Sequence, residues 1–250
     1  MLVDIVIPVY NEERILASTV RRLTEFLHRD LPYRWRIVIA NNQSTDRTRE
    51  VGESLSSADA RVTVLTLPRK GRGLAVREAW LHSDADIVSY MDVDLSTDLR
   101  YFPLLVESVR QAYDMAVASR LLPASRVVRS VEREHLSRAY NRMIRTLFRT
   151  RFTDTQCGFK AMRRDVAGVL LPHVHGEGWF FDAELLVLAE RNGFRVLELP
   201  VEWTDDPDSR VRLGPAAREI AREVLRMSVR RLPRDLGRGL PGNERSRREE

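Results

Sequence analysis

Ile87-Val88-Ser89-Tyr90-Met91-Asp92-Val93-Asp94 decides the fold of this chain. Its first five residues are rich in β-formers and read as a buried strand. Asp84 and Asp86 stand before it, and Leu95-Ser96-Thr97 follows. The two carboxylates therefore lie at the carboxyl end of a strand, where open α/β sheets receive their ligands. Residues two apart point the same way only while the chain stays extended. One carboxylate can hold a metal while the turn carries the other toward a ribose or a metal-bound water. Their hard oxygens suit Mg²⁺ or Mn²⁺, ions that sit naturally on a diphosphate. Acidic pairs also occur in ordinary turns and helix caps, so the weight of this one comes from its surroundings.

Outward from it, strand and helix patterns alternate. Leu2–Val9, Trp35–Ala40, Arg61–Leu67 and Met115–Ser119 read as strands, and Glu12–His28, Thr45–Leu55, Gly73–His82 and Pro103–Ala112 as helices. This rhythm predicts an α/β fold with a mostly parallel sheet and right-handed crossovers. Residues 121–150 are arginine-rich, with a helix over Glu134–Phe148. A helix over Phe180–Asn192 stops at Gly193, a strand runs over Phe194–Val201, and Asp205-Asp206-Pro207-Asp208 reads as a turn. Residues 214–232 have the spacing of a basic amphipathic helix, suited either to an anionic membrane surface or to packing its stripe on the domain. From Pro233 the chain is polar and rich in Gly, Pro and Arg, which predicts a disordered tail.

Composition narrows the class. At 250 residues the chain is long enough for one α/β core. No stretch approaches the ~20 apolar residues that span a bilayer. Met1-Leu2-Val3-Asp4 runs into a strand without a basic region, which argues against a secretory signal. The single cysteine, Cys157, excludes an internal disulfide and a cysteine-rich metal site, and fits a reducing cytoplasm. The five His lack metal-ligand spacing. Formal charge is +5, and only Lys70 and Lys160 are lysines. A GC-rich coding sequence would favour arginine in this way; the same arginines suit phosphates or an anionic surface.

Polar motifs follow the strands in order. Pro8-Val9-Tyr10-Asn11-Glu12 follows the first, Asn41-Asn42-Gln43-Ser44-Thr45-Asp46 the second, Arg69-Lys70-Gly71-Arg72-Gly73 the third and Asp92-Val93-Asp94 the fourth. Ser119-Arg120 follows the fifth, and Asp154-Thr155-Gln156-Cys157-Gly158-Phe159-Lys160 comes later. Over residues 2 to about 210 this order resembles the family 2 glycosyltransferases, in the dolichyl- or polyprenyl-phosphate sugar synthase branch. The resemblance implies a GT-A (Rossmann-like) fold, with a catalytic domain over 1–212, the basic helix over 213–232 and the tail over 233–250.

It also implies roles. Pro8, Tyr10 and Glu12 resemble the first nucleotide-binding segment, although a strand terminator followed by a negative helical first turn would read the same. Asn41 stands where the family usually has Asp, and keeps an acceptor for the base while adding a donor. Ser44 and Asp46 read as helix caps. Lys70, Gly71 and Gly73 resemble a Lys-Gly-x-Gly-x-Ala segment, where glycines let N–H groups approach a phosphate and a cation offsets its charge. Asp92 and Asp94 resemble the metal and nucleotide-sugar ligands, with Asp94 also catalytic. Ser96 occupies the place where mannose-using members often have Gln, which leans toward a glucosyl or other hexosyl donor. Of the run Arg120, Arg126, Arg129, Arg133 and Arg138, we take Arg120, Arg126 and Arg133 as the acceptor-phosphate set. Asp154 and Asp182 are the other catalytic candidates. Trp179 could stack on a sugar and Asp182 or Glu184 bond its hydroxyls, though core packing explains the aromatics equally well. Cys157, without a partnered base, reads as a small buried residue.

The activity so implied is inverting transfer of a hexose from a UDP- or GDP-sugar to a polyprenyl phosphate. Mg²⁺ or Mn²⁺ would be the cofactor, and the place a peripheral position on the inner, cytoplasmic face of a membrane. A transmembrane partner subunit is a further candidate; nucleic acid is not expected. The alternatives are transfer to a sugar hydroxyl, which needs a base such as Asp182 or Glu184, and a non-catalytic sugar-nucleotide-binding accessory protein. A nucleotidyltransferase fits less well, because the first strand leads into Tyr10-Asn11-Glu12 instead of a glycine-rich loop.

Overall fold

The computed structural model describes residues 1–205, 213–237 and 240. The strands in chain order are β1 (Leu2–Val9), β2 (Arg34–Asn41), β3 (Val62–Thr66), β4 (Ile87–Met91), β5 (Met115–Ser119), β6 (Arg126–Val128), β7 (Phe159–Arg163), β8 (Val196–Pro200) and β9 (Glu202–Thr204). The helices are α1 (Leu16–Asp30), α2 (Thr48–Ala58), α3 (Arg72–Leu81), α4 (Phe102–Gln111), α5 (Val131–Phe148), α6 (Arg164–Leu170), α7 (Phe181–Arg191) and α8 (Leu213–Val229). Seven strands form one sheet in the order β3-β2-β1-β4-β7-β5-β8, and β6 pairs with β9 in a small second sheet.

Strand alternation divides the interior into two cores. Ile5, Ile7 and Val9 of β1 enter one, with Val20, Leu23 and Leu27 of α1 and Phe102 and Leu105 of α4. Val6, Val88, Tyr90 and Val117 enter the other, with Leu74 and Trp80 of α3 and the apolar residues of α7. Both sheet faces are covered, which is why the strands read as nearly continuous apolar runs. Burial of each large side chain such as Trp80 contributes roughly 2–3 kcal/mol.

The strand–helix alternation predicted for the first 120 residues is present, with shifted helix starts. α1 begins at Leu16 instead of Glu12, because Asn11 has φ 59° and the chain turns before it winds. α2 begins at Thr48 with Arg47, not Asp46, at its N-cap; Asp46, one residue earlier, accepts the Thr48 N–H through Oδ1 at 3.0 Å. Ser44 differs: its Oγ accepts the Asn11 N–H at 3.0 Å and so ties the β1 end to the β2 end. α5 starts earlier than expected, at Val131, capped by Ser130.

The sheet is not wholly parallel. β7 runs antiparallel to both neighbours and lies between β4 and β5. Its sequence, Phe159-Lys160-Ala161-Met162-Arg163, has no β-branched residue and carries a lysine, so no strand pattern announces it. Its insertion brings the 154–158 loop against the end of β4: the Asp92 N–H donates to Gly158 O at 3.1 Å.

α8 packs on the domain. Met227 is buried, Ile220 and Val224 are partly buried against the core, and Leu225 and Val229 face outward. Glu184 of α7 is its anchor, pairing with Arg226 at 2.9 Å and Arg230 at 3.0 Å while also accepting the His175 and Gly176 N–H groups. Glu219 of α8 accepts the Trp179 N–H at 2.8 Å, so this helix braces the loop after α6. Within the expected tail, residues 233–237 pack back on α7: the Leu236 N–H donates to Asn192 Oδ1 at 3.0 Å. The rest of the tail except Leu240, and the expected turn at 206–208, lie outside the described residues.

Glu184→Ala leaves two arginines without their buried partner and two N–H groups without an acceptor. We expect a cost of about 3 kcal/mol, or a fall of roughly 6–12 °C in melting temperature for a chain of this size. Thermal and urea unfolding check it; an unchanged midpoint would show that α8 is held by its apolar stripe instead.

Candidate active site

The predicted motifs converge at the carboxyl ends of β1, β2 and β4. Three non-glycine residues there have positive φ: Asn11 (59°), Gln43 (59°) and Leu95 (52°). Asn tolerates this region, whereas Leu in it costs on the order of 1 kcal/mol. Leu95 is held there by burial in the core and by its N–H to Asp92 O at 3.1 Å, which turns the chain sharply after Asp94.

On one side lie Pro8, Tyr10, Glu12, Asn41, Lys70 and Gly71. Pro8 is the penultimate residue of β1, beside Ala40. Tyr10 is at the surface, with the Lys70 ammonium 3.4 Å from its ring centroid. The Glu12 N–H donates to Thr48 Oγ1 at 2.7 Å. Asn41 is buried, and its Oδ1 accepts the Ser44 N–H at 3.1 Å. Asn42, to which sequence reasoning assigned nothing, accepts the Gly71 N–H at 2.6 Å. The Gly71 N–H thus has a side-chain acceptor, and the glycine also provides space. A Cβ on it would lie 2.8 Å from Glu177 O, and one on Gly73 would lie 2.3 Å from Phe181 Cβ. Both glycines let the start of α3 press against the 176–181 segment.

At the centre runs a chain of alternating charges. Lys160 is fully buried, and its Nζ donates to Asp182 Oδ1 at 2.8 Å, Cys157 O at 2.7 Å, Thr155 O at 3.2 Å and Tyr90 Oη at 3.3 Å. Tyr90 donates to the same carboxylate. Arg72 reaches Asp182 Oδ2 at 3.0 Å with Nη1 and Asp92 Oδ1 at 2.6 Å with Nη2. Burial would push the Asp182 carboxyl up, but Lys160 and Arg72 more than offset this and hold it below the ordinary value. Burial drives the Tyr90 phenol well up, so it stays a donor. Asp182 therefore lies beneath the site as a fixed anion. Glu184 lies under α8. Cys157 is buried, its thiol pushed up to about 12 chiefly by burial, which suits the packing role read for it.

On the far side Arg120 and Asp154 form one unit. Nε and Nη2 of Arg120 reach the two carboxylate oxygens at 2.7 and 3.0 Å, and its backbone N–H adds a third bond at 3.1 Å. Burial opposes the Asp154 charge, yet Arg120 overcomes it and lowers the carboxyl to about 2. The guanidinium lies 5.4 Å from the Trp203 ring centroid, with Arg129 6.0 Å from the same ring. The other two members of the expected acceptor set border the β6–β9 pair that carries Trp203. Arg126 is 83 % exposed on β6, 3.7 Å from Glu202. Arg133 pairs with Asp205 at 2.6 Å. Arg129, not chosen from the sequence, shares the Trp203 ring with Arg120. Trp203 was missed because β9 is three residues long and carries no pattern.

The residues fit a divalent ion of a particular kind. No group of three or more His, Cys, Asp or Glu among the described residues could hold a metal. Asp92, 40 % exposed at the mouth, and Asp94, exposed beyond it, offer at most two carboxylates. That suits a hard ion such as Mg²⁺ or Mn²⁺, which completes its shell with water and phosphate oxygens. Gly158 keeps the place open, since a Cβ there would lie 2.0 Å from Asp92 Oδ2.

A mostly parallel seven-stranded sheet with helices on both faces is the GT-A fold of glycosyltransferases. Residues 4–171 match the model described as Glycosyl transferase family 2, and the chain belongs to that family. It is 38% identical over 228 residues to glycosyltransferase AglD of Haloferax volcanii, an overlap of 90% of this chain but 35% of that protein. It is 30% identical over 239 residues to the dolichyl-phosphate beta-glucosyltransferase ALG5D of Trichomonas vaginalis, covering 91% of this chain and 73% of that one. The chain thus spans about a third of the Haloferax relative and about three quarters of the Trichomonas one. Among solved structures, glucosyl-3-phosphoglycerate synthase from Mycobacterium tuberculosis, in complex with Mn²⁺, UDP and phosphoglyceric acid, shares the fold. Its TM-score is 0.62 at 16% identity, over 89% of this chain and 75% of that one.

The Arg120–Asp154 pair sets an acid limit. Because the folded carboxyl titrates near 2 and an unfolded Asp near 3.9, the pair's contribution is complete above about pH 5 and fades as pH falls toward 2. At pH 3 the loss from this one group is about 1 kcal/mol. Urea unfolding of wild type and Asp154→Asn at pH 6 and pH 3 reads it; an equal acid sensitivity in both proteins would contradict the assignment. Gly158→Ala, by the crowding against Asp92, should be folded but inactive, with the β4 end displaced in its crystal structure.

Proposed function

We propose that this chain transfers glucose from UDP-glucose to a polyprenyl phosphate, with inversion at the anomeric carbon. One observation carries the choice of acceptor. A hydroxyl acceptor needs a general base, but Asp182 and Glu184, the two candidates for it, are each buried and ion-paired. A phosphate monoester, with a second pKa of about 6, is largely ionised at neutral pH and needs no such base. The names of the relatives support the sugar and the lipid class.

In this reading Tyr10, Glu12 and Asn41 face the nucleoside, and Lys70 and Arg72 the diphosphate. A divalent ion on Asp92 and Asp94 would stabilise the charge that gathers on the leaving diphosphate. Arg120, with Arg129 beside it, receives the acceptor phosphate and offsets its repulsion from the donor. Asp154 keeps Arg120 charged and aimed. Trp179 and Trp203 supply apolar walls near the ring, which passes through an oxocarbenium-like state. The outward Leu136, Met143 and Leu147 of α5 and Leu225 and Val229 of α8, set among arginines, support peripheral contact with an anionic membrane. No helix among the described residues is long and apolar enough to cross one.

The test is a panel of UDP- and GDP-sugars with short polyprenyl phosphate and Mg²⁺ or Mn²⁺, read by mass. UDP-glucose should give a polyprenyl-phosphate hexose, abolished by chelation, whose anomeric coupling reports inversion. Nucleotide binding without product from any donor would move the function to another acceptor or to binding alone. Asp94→Asn should lower transfer at least about 100-fold while changing UDP affinity only a few-fold; full activity would remove Asp94 from the chemistry.

A further inference from the structure

Arg72 joins the buried and the open halves of the site, and its two bonds differ in kind. Nη1 is fixed to Asp182, which Lys160 and Tyr90 hold from behind. The guanidinium lies 5.3 Å from the Tyr90 ring centroid and 5.2 Å from that of Trp179, and the side chain is only 14 % exposed. Gly71 and Gly73, with no room for a Cβ, fix the start of α3 from which it extends. Nη2 alone reaches the mouth, where it holds Asp92.

We propose that Arg72 is an internal counter-ion that competes with a divalent cation for Asp92 and is drawn from it by the donor's diphosphate, so that cation and donor bind as a linked pair. The proposal rests on the reading of Asp92 as a metal ligand. A cation entering at Asp92 meets the fixed charge of Arg72 one carboxylate away and is repelled. A diphosphate offers Nη2 another anionic oxygen, and guanidinium donors suit it. Only one bond need change, because Asp182 and the two rings keep the rest of the side chain in place. Asp92 then becomes available to the cation at the moment the donor arrives. Linkage makes the effect mutual: whatever factor the donor adds to cation affinity, the cation adds to donor affinity.

Manganese binding, read by the electron paramagnetic resonance of free Mn²⁺, tests this without turnover. The full chain is titrated with and without UDP, as wild type and as Arg72→Met. Removing the guanidinium leaves Asp182 paired with Lys160, so no buried carboxylate is stranded; circular dichroism melts verify the fold, and Arg72→Gln reads the same quantity should the methionine variant not fold. Without UDP, the variant should bind Mn²⁺ at least about tenfold tighter than wild type, equivalent to 1.4 kcal/mol. The factor by which UDP strengthens Mn²⁺ binding should shrink by at least about tenfold. A folded variant with unchanged or weaker nucleotide-free Mn²⁺ affinity would overturn the counter-ion role. Equal Mn²⁺ binding by Asp92→Asn and wild type, with UDP present, would instead overturn Asp92 as a metal ligand, and the Arg72 proposal with it.

Discussion

The site depends on how four charges are kept in one small volume: Lys160, Asp182, Arg72 and Asp92 in alternating order from the core to the mouth. A buried ion is costly alone, and each of the inner three is made tolerable by the next. Lys160 has the deepest position and uses two backbone carbonyls as well as Asp182, so its charge is spread over several acceptors. The chain ties α7, α3, β4 and β7 together at one point. Those elements are the ones that meet beneath the carboxyl ends of the sheet.

Tight backbone approach is the second constraint, and it works with the first. Gly71, Gly73 and Gly158 each stand where a methyl group would strike a neighbour. The first two let α3 deliver Arg72, and the third lets the 154–158 loop lie against Asp92. The loop carrying Trp179 is braced by Glu219 and by the two N–H groups that Glu184 accepts, so α8 is mechanically continuous with the wall of the site. A force on α8 would therefore reach Trp179, whose ring lies 5.2 Å from the Arg72 guanidinium.

The proposed reaction joins two anions, and the distribution of charge matches that difficulty. Cations gather near Asp92: Arg72 pairs with it directly, and Arg120 is close enough to feel its charge. Each of the inner arginines is held by a carboxylate that is itself buried, which keeps the guanidinium charged and limits its freedom. A preorganised cation loses little entropy when its substrate arrives. The carboxylates that looked like acids and bases are, in this arrangement, the supports of the arginines.

Much of this was legible in the chain. Apolar runs at Leu2–Val9 and Ile87–Met91 state buried strands, and polar motifs after successive strands state a ligand site at one sheet edge, because periodicity and strand-end chemistry are local properties. The order of motifs put Tyr10, Lys70 and Asp92 after successive strands, where the fold has them. The partners of each charge could not. Lys160 and Asp182, or Arg72 and Asp92, are distant in sequence, and nothing local tells a buried arginine from a solvated one in so arginine-rich a chain. The same holds for β7, whose antiparallel place is decided by its neighbours and not by its composition. The residue types and their order thus determined the fold class and the sheet edge where the polar motifs gather. Tertiary packing alone decided which charges meet, because desolvation and close approach exist only once the sheet and its helices have closed around them.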